Sequence, residues 1–312
     1  MRILLTEPEG FSPVALEKLR SAGHRVGRVE AAADFDEEVA RAEGVIVRLG
    51  VRWTAARLAA APKLRWLLTP TTGLDHIDLE AAAAQGVAVV SLRGLPGLEA
   101  VTSTPEHAFA LLLALVRRIP GAVAHTWEGG WDRDAFQGRE LRGKQVGVIG
   151  LGRTGTAFAG YCQAFGMSVR YYDPYVKGGA WPGLDSLAAL AAWSDVISVH
   201  VHLTPETAGM LDAAFFQGCG RSPWLVNTSR GDLVDEGALL EALQSGRISG
   251  AAVDVVQGEP EKGGVWSSPL RDYAKRHANL LVTPHIAGCT LDAMRHTEEM
   301  IVDAFLQRLA VD

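Results

Sequence analysis

Ten residues constrain this chain more than any others: Val146-Gly147-Val148-Ile149-Gly150-Leu151-Gly152-Arg153-Thr154-Gly155. An apolar run bounded by turn residues fits a buried strand of a parallel sheet. Here it leads into a glycine-rich turn and a helix start. Gly150, Gly152 and Gly155 have G-x-G-x-x-G spacing. In that pattern the first glycine allows the tight turn, the second lets a pyrophosphate approach the backbone, and the third lets helix and strand pack closely. The helix N-terminus offers unpaired N–H groups and the positive end of its dipole to phosphates. Three glycines in a turn occur in many loops, so the motif needs its context.

The next element supplies it. Gly166 closes a helical stretch, and Ser168–Tyr172 reads as a second strand ending at Asp173. A carboxylate there accepts hydrogen bonds from ribose hydroxyls. It repels a 2′-phosphate, and Pro174 and Tyr175 bring no arginine to offset that. The expected cofactor is NAD, not NADP. The bland alternative is an aspartate that merely opens the turn before Pro174.

At 312 residues the chain has room for two domains. With 48% hydrophobic and 21% charged residues it is globular, not disordered. A net charge of −6 argues against nucleic acid as a partner. Cys162, Cys219 and Cys289 are scattered and lack metal-ligand spacing, so no metal is expected. They read as reduced thiols of a cytoplasmic protein. The start, Met1–Thr6, lacks the apolar core of a signal peptide. The longest apolar stretch, Ala108–Val116, is too short to span a membrane.

Strand-like and helix-like stretches alternate throughout, which predicts an α/β fold with parallel sheets. Arg2–Thr6, Gly44–Arg48, Leu64–Thr69 and Val87–Ser91 read as strands of a first unit that has no glycine motif. A helix is expected over Pro105–Arg118, capped by Thr104 and ended by Pro120. Being apolar on nearly all sides, it should lie buried between domains or between subunits. Gly121–Arg142 shows little periodicity. Beyond the motif, Asp195–Val201, Trp224–Thr228, Gly250–Val256 and Asn279–Thr283 read as strands, and Leu291–Leu309 as the C-terminal helix.

Ligands of open parallel sheets bind beyond the carboxyl ends of the strands. Arg230, Glu259 and His285 follow three successive strands there. Singly, each reads as an ordinary loop residue. Together, downstream of a dinucleotide motif, they suit hydride transfer to a 2-oxo acid. An imidazolium supplies the proton to the carbonyl oxygen. A carboxylate on the other ring nitrogen fixes the tautomer. An arginine fork binds a carboxylate and polarises the carbonyl. His285 is thus the candidate acid/base, Glu259 its partner and Arg230 the clamp.

These residues give the chain a resemblance to the D-isomer-specific 2-hydroxyacid dehydrogenases. It is carried by Thr72-Gly73-Leu74-Asp75-His76-Ile77-Asp78, Pro105-Glu106-His107-Ala108, the glycine motif, Val226-Asn227-Thr228-Ser229-Arg230-Gly231, Val234-Asp235-Glu236, Asp254-Val255, Glu259-Pro260 and Thr283-Pro284-His285-Ile286-Ala287-Gly288. The resemblance implies the same roles for Arg230, Glu259 and His285. It implies pyrophosphate contacts at Arg153 and Thr154, a nicotinamide contact at Asp254, and further cofactor contacts at Thr104, Thr228 and Ser229. The backbone around Thr72-Gly73 would meet the substrate carboxylate. Two Rossmann-like or flavodoxin-like domains are implied, with the active site in the cleft between them: residues 1–100 plus 287–312 for substrate and 101–286 for NAD. A homodimer formed through the Pro105–Arg118 helix and the following segment is implied as well.

The chain departs from the family pattern in places. His202 stands where proline is usual, as either a substrate contact or a loop residue. The stretch between Glu259 and His285 is longer than usual, with Trp266 and a basic Arg271–His277 run, and is expected to reshape one wall of the cleft. With the sequence ending at Asp312, serine-type feedback control is not implied. Arg48, Arg52 and Arg93 follow strands of the first unit. Arg48 is the favoured contact for a second anionic group, phosphate or phosphonate, on the substrate. Arg52 and Arg93 fit that role or a solvated loop equally. Two other readings stand beside the enzyme: an NAD-sensing corepressor on the same fold, and a formate dehydrogenase, for which Glu259 stands where glutamine is expected.

Overall fold

The computed structural model describes residues 1–29, 35–260 and 264–310. They form two compact units, Met1–Val101 with Pro260–Gly264 and Cys289–Asp312, and Thr102–Glu259 with Val265–Gly288. Residues 261–263 of the long Glu259–His285 stretch, and the terminal 311–312, lie outside the described residues.

The first unit holds β1 (Arg2–Leu5), β2 (Arg25–Arg28), β3 (Gly44–Ile46), β4 (Trp66–Thr69) and β5 (Ala88–Ser91). They pair in parallel in the order β2-β1-β3-β4-β5. Its core is built on one face by Ile3, Leu5, Leu68 and Phe305, and on the other by Leu4, Val45, Trp53 and Leu67. That split follows from the two-residue period of a strand with both faces covered. The Leu291–Leu309 helix packs on this unit through Ile301, Val302 and Phe305, all fully buried. Thr290 caps it by accepting the Ala293 N–H at 3.1 Å.

The second unit holds β6 (Gln145–Ile149), β7 (Ser168–Tyr172), β8 (Val196–Val199), β9 (Trp224–Asn227), β10 (Gly250–Val253) and β11 (Leu280–Val282). The order is β11-β10-β9-β8-β6-β7, again parallel throughout. The direction of winding reverses between β6 and β8. This is a doubly wound α/β sheet, and its switch point lies where the glycine turn leaves β6.

Three expectations need correction. The long helix is Ser103–Val116, so Thr104 lies inside its first turn and Thr102 occupies the cap. The segment after Pro120, expected to show little periodicity, instead opens as a further helix, Ile119–Trp127, after Arg118 turns the chain at φ 56°. A proline in the first turn costs a helix nothing, because that N–H has no intrahelical partner. The Ser103–Val116 helix is buried largely within its own unit, with Phe109 and Leu112 in the core beside Phe158 and Val226. Also unread in the sequence were β2, whose Arg25 and Arg28 are exposed at a sheet edge, and the helix Pro269–Ala274.

Candidate active site

Close approach explains the three glycines of the motif. Gly150 has φ +87°, and a Cβ there would stand 2.7 Å from the His200 carbonyl oxygen and 2.6 Å from Val201 Cγ1. The residue thus lets the chain turn where the ends of β6 and β8 meet. A Cβ on Gly155 would stand 2.0 Å from the Gly150 carbonyl oxygen, so the helix can sit on the turn only without a side chain. Gly152 is different: nothing lies within 4 Å of its Cβ position. Space is kept there beside the N-terminus of the Arg153–Ala164 helix. Burial pushes the Arg153 guanidinium below its ordinary pKa.

Asp173 follows β7 and holds the turn from the side. Its Oδ2 accepts the Leu151 N–H at 2.9 Å, and its Oδ1 accepts those of Tyr175 at 2.9 Å and Val176 at 3.2 Å. A carboxylate has about four acceptor positions, so room for a ribose hydroxyl remains. The residue therefore opens the turn before Pro174 and also anchors the glycine loop.

The loops after β9, β10 and β11 carry Arg230, Glu259 and His285. Arg230 is extended, with Nη1 donating to the Ser229 carbonyl at 2.7 Å. Asn227 shapes this loop: its side-chain oxygen accepts the Ser229 N–H at 3.0 Å and its amide donates to the Arg230 carbonyl at 2.8 Å. Ser229 Oγ donates to the Val199 carbonyl. The Thr228 hydroxyl is buried without a hydrogen-bond partner. Gly231 lets the loops after β9 and β10 touch, since a Cβ there would stand 2.0 Å from the Val256 carbonyl carbon.

His285 Nδ1 lies 2.6 Å from Glu259 Oε2. With Nδ1 engaged, Nε2 is the ring atom left to exchange a proton. His285 adopts φ 55°, a left-handed conformation that costs a non-glycine residue about 1–3 kcal/mol unless its surroundings impose it. They do so here. The His285 N–H donates to the carbonyls of Asp254 at 2.8 Å and Thr283 at 3.0 Å. Asp254, fully buried, accepts from Thr283 Oγ1 at 2.5 Å, the Ile286 N–H at 3.0 Å and the Ala287 N–H at 2.7 Å. The sequence reading gave Asp254 a cofactor contact and no part in shaping this loop. Its spacing from β10 held no signal for that, because the partners lie on a different strand end.

In the first unit, the Thr72–Gly73 turn is braced locally. Thr71 Oγ1 donates to the Gly73 carbonyl at 2.8 Å and Arg93 Nε to the Thr72 carbonyl at 2.7 Å. Arg48, the expected contact for a second anionic group, is engaged within its own unit. Its guanidinium is paired with the buried Glu298 and donates to the Glu9 carbonyl at 3.0 Å. One guanidinium nitrogen thus meets Glu298, another meets a backbone carbonyl, and Nε is buried without a hydrogen-bond partner. Arg52 is exposed, and its carbonyl accepts from Arg57.

His202 is exposed, and its carbonyl accepts from Thr207 Oγ1 at 2.7 Å. Part of the long stretch before His285 packs into the second unit. It forms the Pro269–Ala274 helix, which buries Leu270 and Tyr273 in the core of the second unit. Cys162 and Cys219 are buried, and burial pushes their thiols up, Cys219 to about 11. Among the described residues no metal-binding group of three His, Cys, Asp or Glu side chains occurs, and no single helix is long and apolar enough to cross a membrane.

Residues 109–287 match the family model of the D-isomer specific 2-hydroxyacid dehydrogenase NAD binding domain. The chain belongs to that family. It is 38% identical to the D-3-phosphoglycerate dehydrogenase of Archaeoglobus fulgidus over 97% of its length, covering 56% of that relative. The chain spans about half the length of the curated relatives it matches. Among solved structures it is similar to the TT0316 protein of Thermus thermophilus (TM-score 0.85, 34% identity, covering 99% of this chain and 97% of that one). It is also similar to a D-lactate dehydrogenase of Aquifex aeolicus complexed with NAD and lactic acid (TM-score 0.83, 30% identity, covering 99% and 96%).

Proposed function

We propose that this protein is an NAD-dependent oxidoreductase that interconverts a 2-oxo acid and a D-2-hydroxy acid. The observation that carries this reading is the His285–Glu259 pair, 2.6 Å apart in the same unit as the glycine motif. In the reducing direction, His285 Nε2 gives its proton to the carbonyl oxygen as that oxygen gains charge. In the oxidising direction the neutral ring takes the hydroxyl proton back. Glu259 holds the ring by Nδ1 and balances its positive charge. Arg230 presents a planar fork to the substrate carboxylate and polarises the neighbouring carbonyl. The Thr72–Gly73 turn of the first unit is a second proposed contact for that carboxylate.

The residues present fit a dinucleotide. Open space at Gly152, the helix N-terminus at Arg153 and Thr154, and the unpartnered Thr228 hydroxyl are features a phosphate and a ribose would use. NADH, when bound, supplies the hydride. Asp173 favours NAD over NADP by repelling a 2′-phosphate. Glu259, rather than glutamine, favours a hydroxyacid over formate. The apolar Ile119–Trp127 helix buries none of its residues, and Trp127 and Trp131 are 83% and 94% exposed. We assign that surface to a second copy of the chain.

The test is NADH oxidation, followed by absorbance, against plain, phosphorylated and phosphonylated 2-oxo acids, with NADPH as control. Turnover of at least one acid with NADH, and little with NADPH, is the expected result. NADH binding without turnover of any acid would overturn the enzyme reading.

A further inference from the structure

His107 is the second histidine near the reacting loop, and the proposed mechanism does not use it. It lies in the Ser103–Val116 helix, which packs against β9, β10 and β11. Its Nε2 is 3.2 Å from Thr283 Oγ1 and 3.4 Å from Asp254 Oδ1. Proton bookkeeping gives this contact a direction. The Asp254 carboxylate has only acceptors to offer, so the Thr283 hydroxyl spends its one hydrogen on Asp254. Thr283 Oγ1 must then accept from His107, which places a hydrogen on Nε2. The chain runs His107 Nε2–H to Thr283 O–H to Asp254, and Asp254 receives the N–H groups of Ile286 and Ala287, the two residues that follow the left-handed turn at His285.

We propose that His107 is a positioning residue: through Thr283 and Asp254 it holds the loop that presents His285 in its strained conformation. Residue and loop belong to one unit, so the chain of contacts needs no other part of the protein. A strained backbone persists only where neighbours over-determine it. Asp254 can do so only while its own orientation is fixed, and His107 and Thr283 are the side chains that fix it. The catalytic consequence rests on the acid/base role proposed for His285; the structural consequence does not.

The test compares His107→Ala and His107→Gln in the full-length protein. Glutamine places an amide N–H near the position of Nε2 and should rescue. In His107→Ala, the Ile286 and Ala287 amides should exchange about tenfold faster by site-resolved hydrogen exchange. With a substrate found, kcat should fall by roughly ten- to a hundredfold while KM and the NADH dissociation constant hold. His107→Gln should restore both. Unchanged exchange in the alanine variant overturns the proposal, as does a natively melting glutamine variant that behaves like alanine. If the wild-type protein reduces no 2-oxo acid, the functional reading fails by itself, and amide exchange still decides this one.

Discussion

Glu259 grips His285 from one side only: its Oε2 lies 2.6 Å from His285 Nδ1, while its Oε1 accepts the Val256 N–H at 3.1 Å. The carboxylate is therefore tied to its own loop as well as to the ring, and it fixes which nitrogen faces outward. Replacing His285 with alanine should lower turnover by about 10²–10⁴-fold, the usual range for a general acid. NADH affinity, read by fluorescence titration, should change little. Turnover persisting near the wild-type rate would remove His285 from the chemistry.

Gly152 and Gly155 separate binding from folding. A Cβ on Gly152 meets nothing within 4 Å, whereas one on Gly155 would press on the Gly150 carbonyl oxygen at 2.0 Å. Gly152→Ala should melt like the wild type and bind NADH more weakly, because the methyl occupies the space a pyrophosphate needs. Gly155→Ala should lose thermal stability even without cofactor. Equal melting losses in the two variants would mean that Gly152 serves packing.

How far the sequence was legible follows from where the partners lie. The motif strand, the helix after it and Asp173 are consecutive in the chain, so spacing alone located them. Leu291–Leu309 was readable from its own periodicity. Thr104 was misread because the cap is set by a local backbone choice two residues earlier, at Thr102. The Ile119–Trp127 helix was missed because a proline that stops one helix can also start the next, and only the turn at Arg118, φ 56°, separates the two. The pairing of Arg48 was not legible because its partner, Glu298, is 250 residues away. His107 was visible within a family motif, but its role depends on Thr283 and Asp254, which come from other strand ends.

Burial of His200 makes stability depend on pH. The ring packs on Phe158, its Nε2 is 2.8 Å from Ser198 Oγ, and its Nδ1 is buried without a partner. Burial pushes its pKa down from 6.5 to about 3. Below pH 6.5 the unfolded chain takes up a proton there, and the native chain does not until about pH 3. This contribution is complete above the unfolded value and is lost as pH falls, at up to about 1.4 kcal/mol per unit. Urea melts between about pH 7 and about pH 5 should show roughly 2 kcal/mol of loss from this residue. The loss should be missing from a His200→Gln variant measured alongside. The same pH dependence in both proteins would assign it to other groups.

The Arg48–Glu298 pair costs and stabilises at once. Glu298 is fully buried, and burial pushes its carboxyl up even though Ser12 N–H donates to it at 2.6 Å and Arg48 pairs with it. Desolvation thus outweighs attraction in setting its titration. Removing only the acid leaves a mostly buried guanidinium without its partner, so Glu298→Ala should cost about 3–5 kcal/mol in denaturant melts. Removing both charges while keeping an acceptor for Ser12 avoids that penalty. The double variant Arg48→Met with Glu298→Gln should therefore be more stable than Glu298→Ala alone, although it carries one more substitution. If the double variant were the less stable of the two, the attraction between the pair would outweigh its desolvation, and the order argued from the Glu298 shift would be reversed.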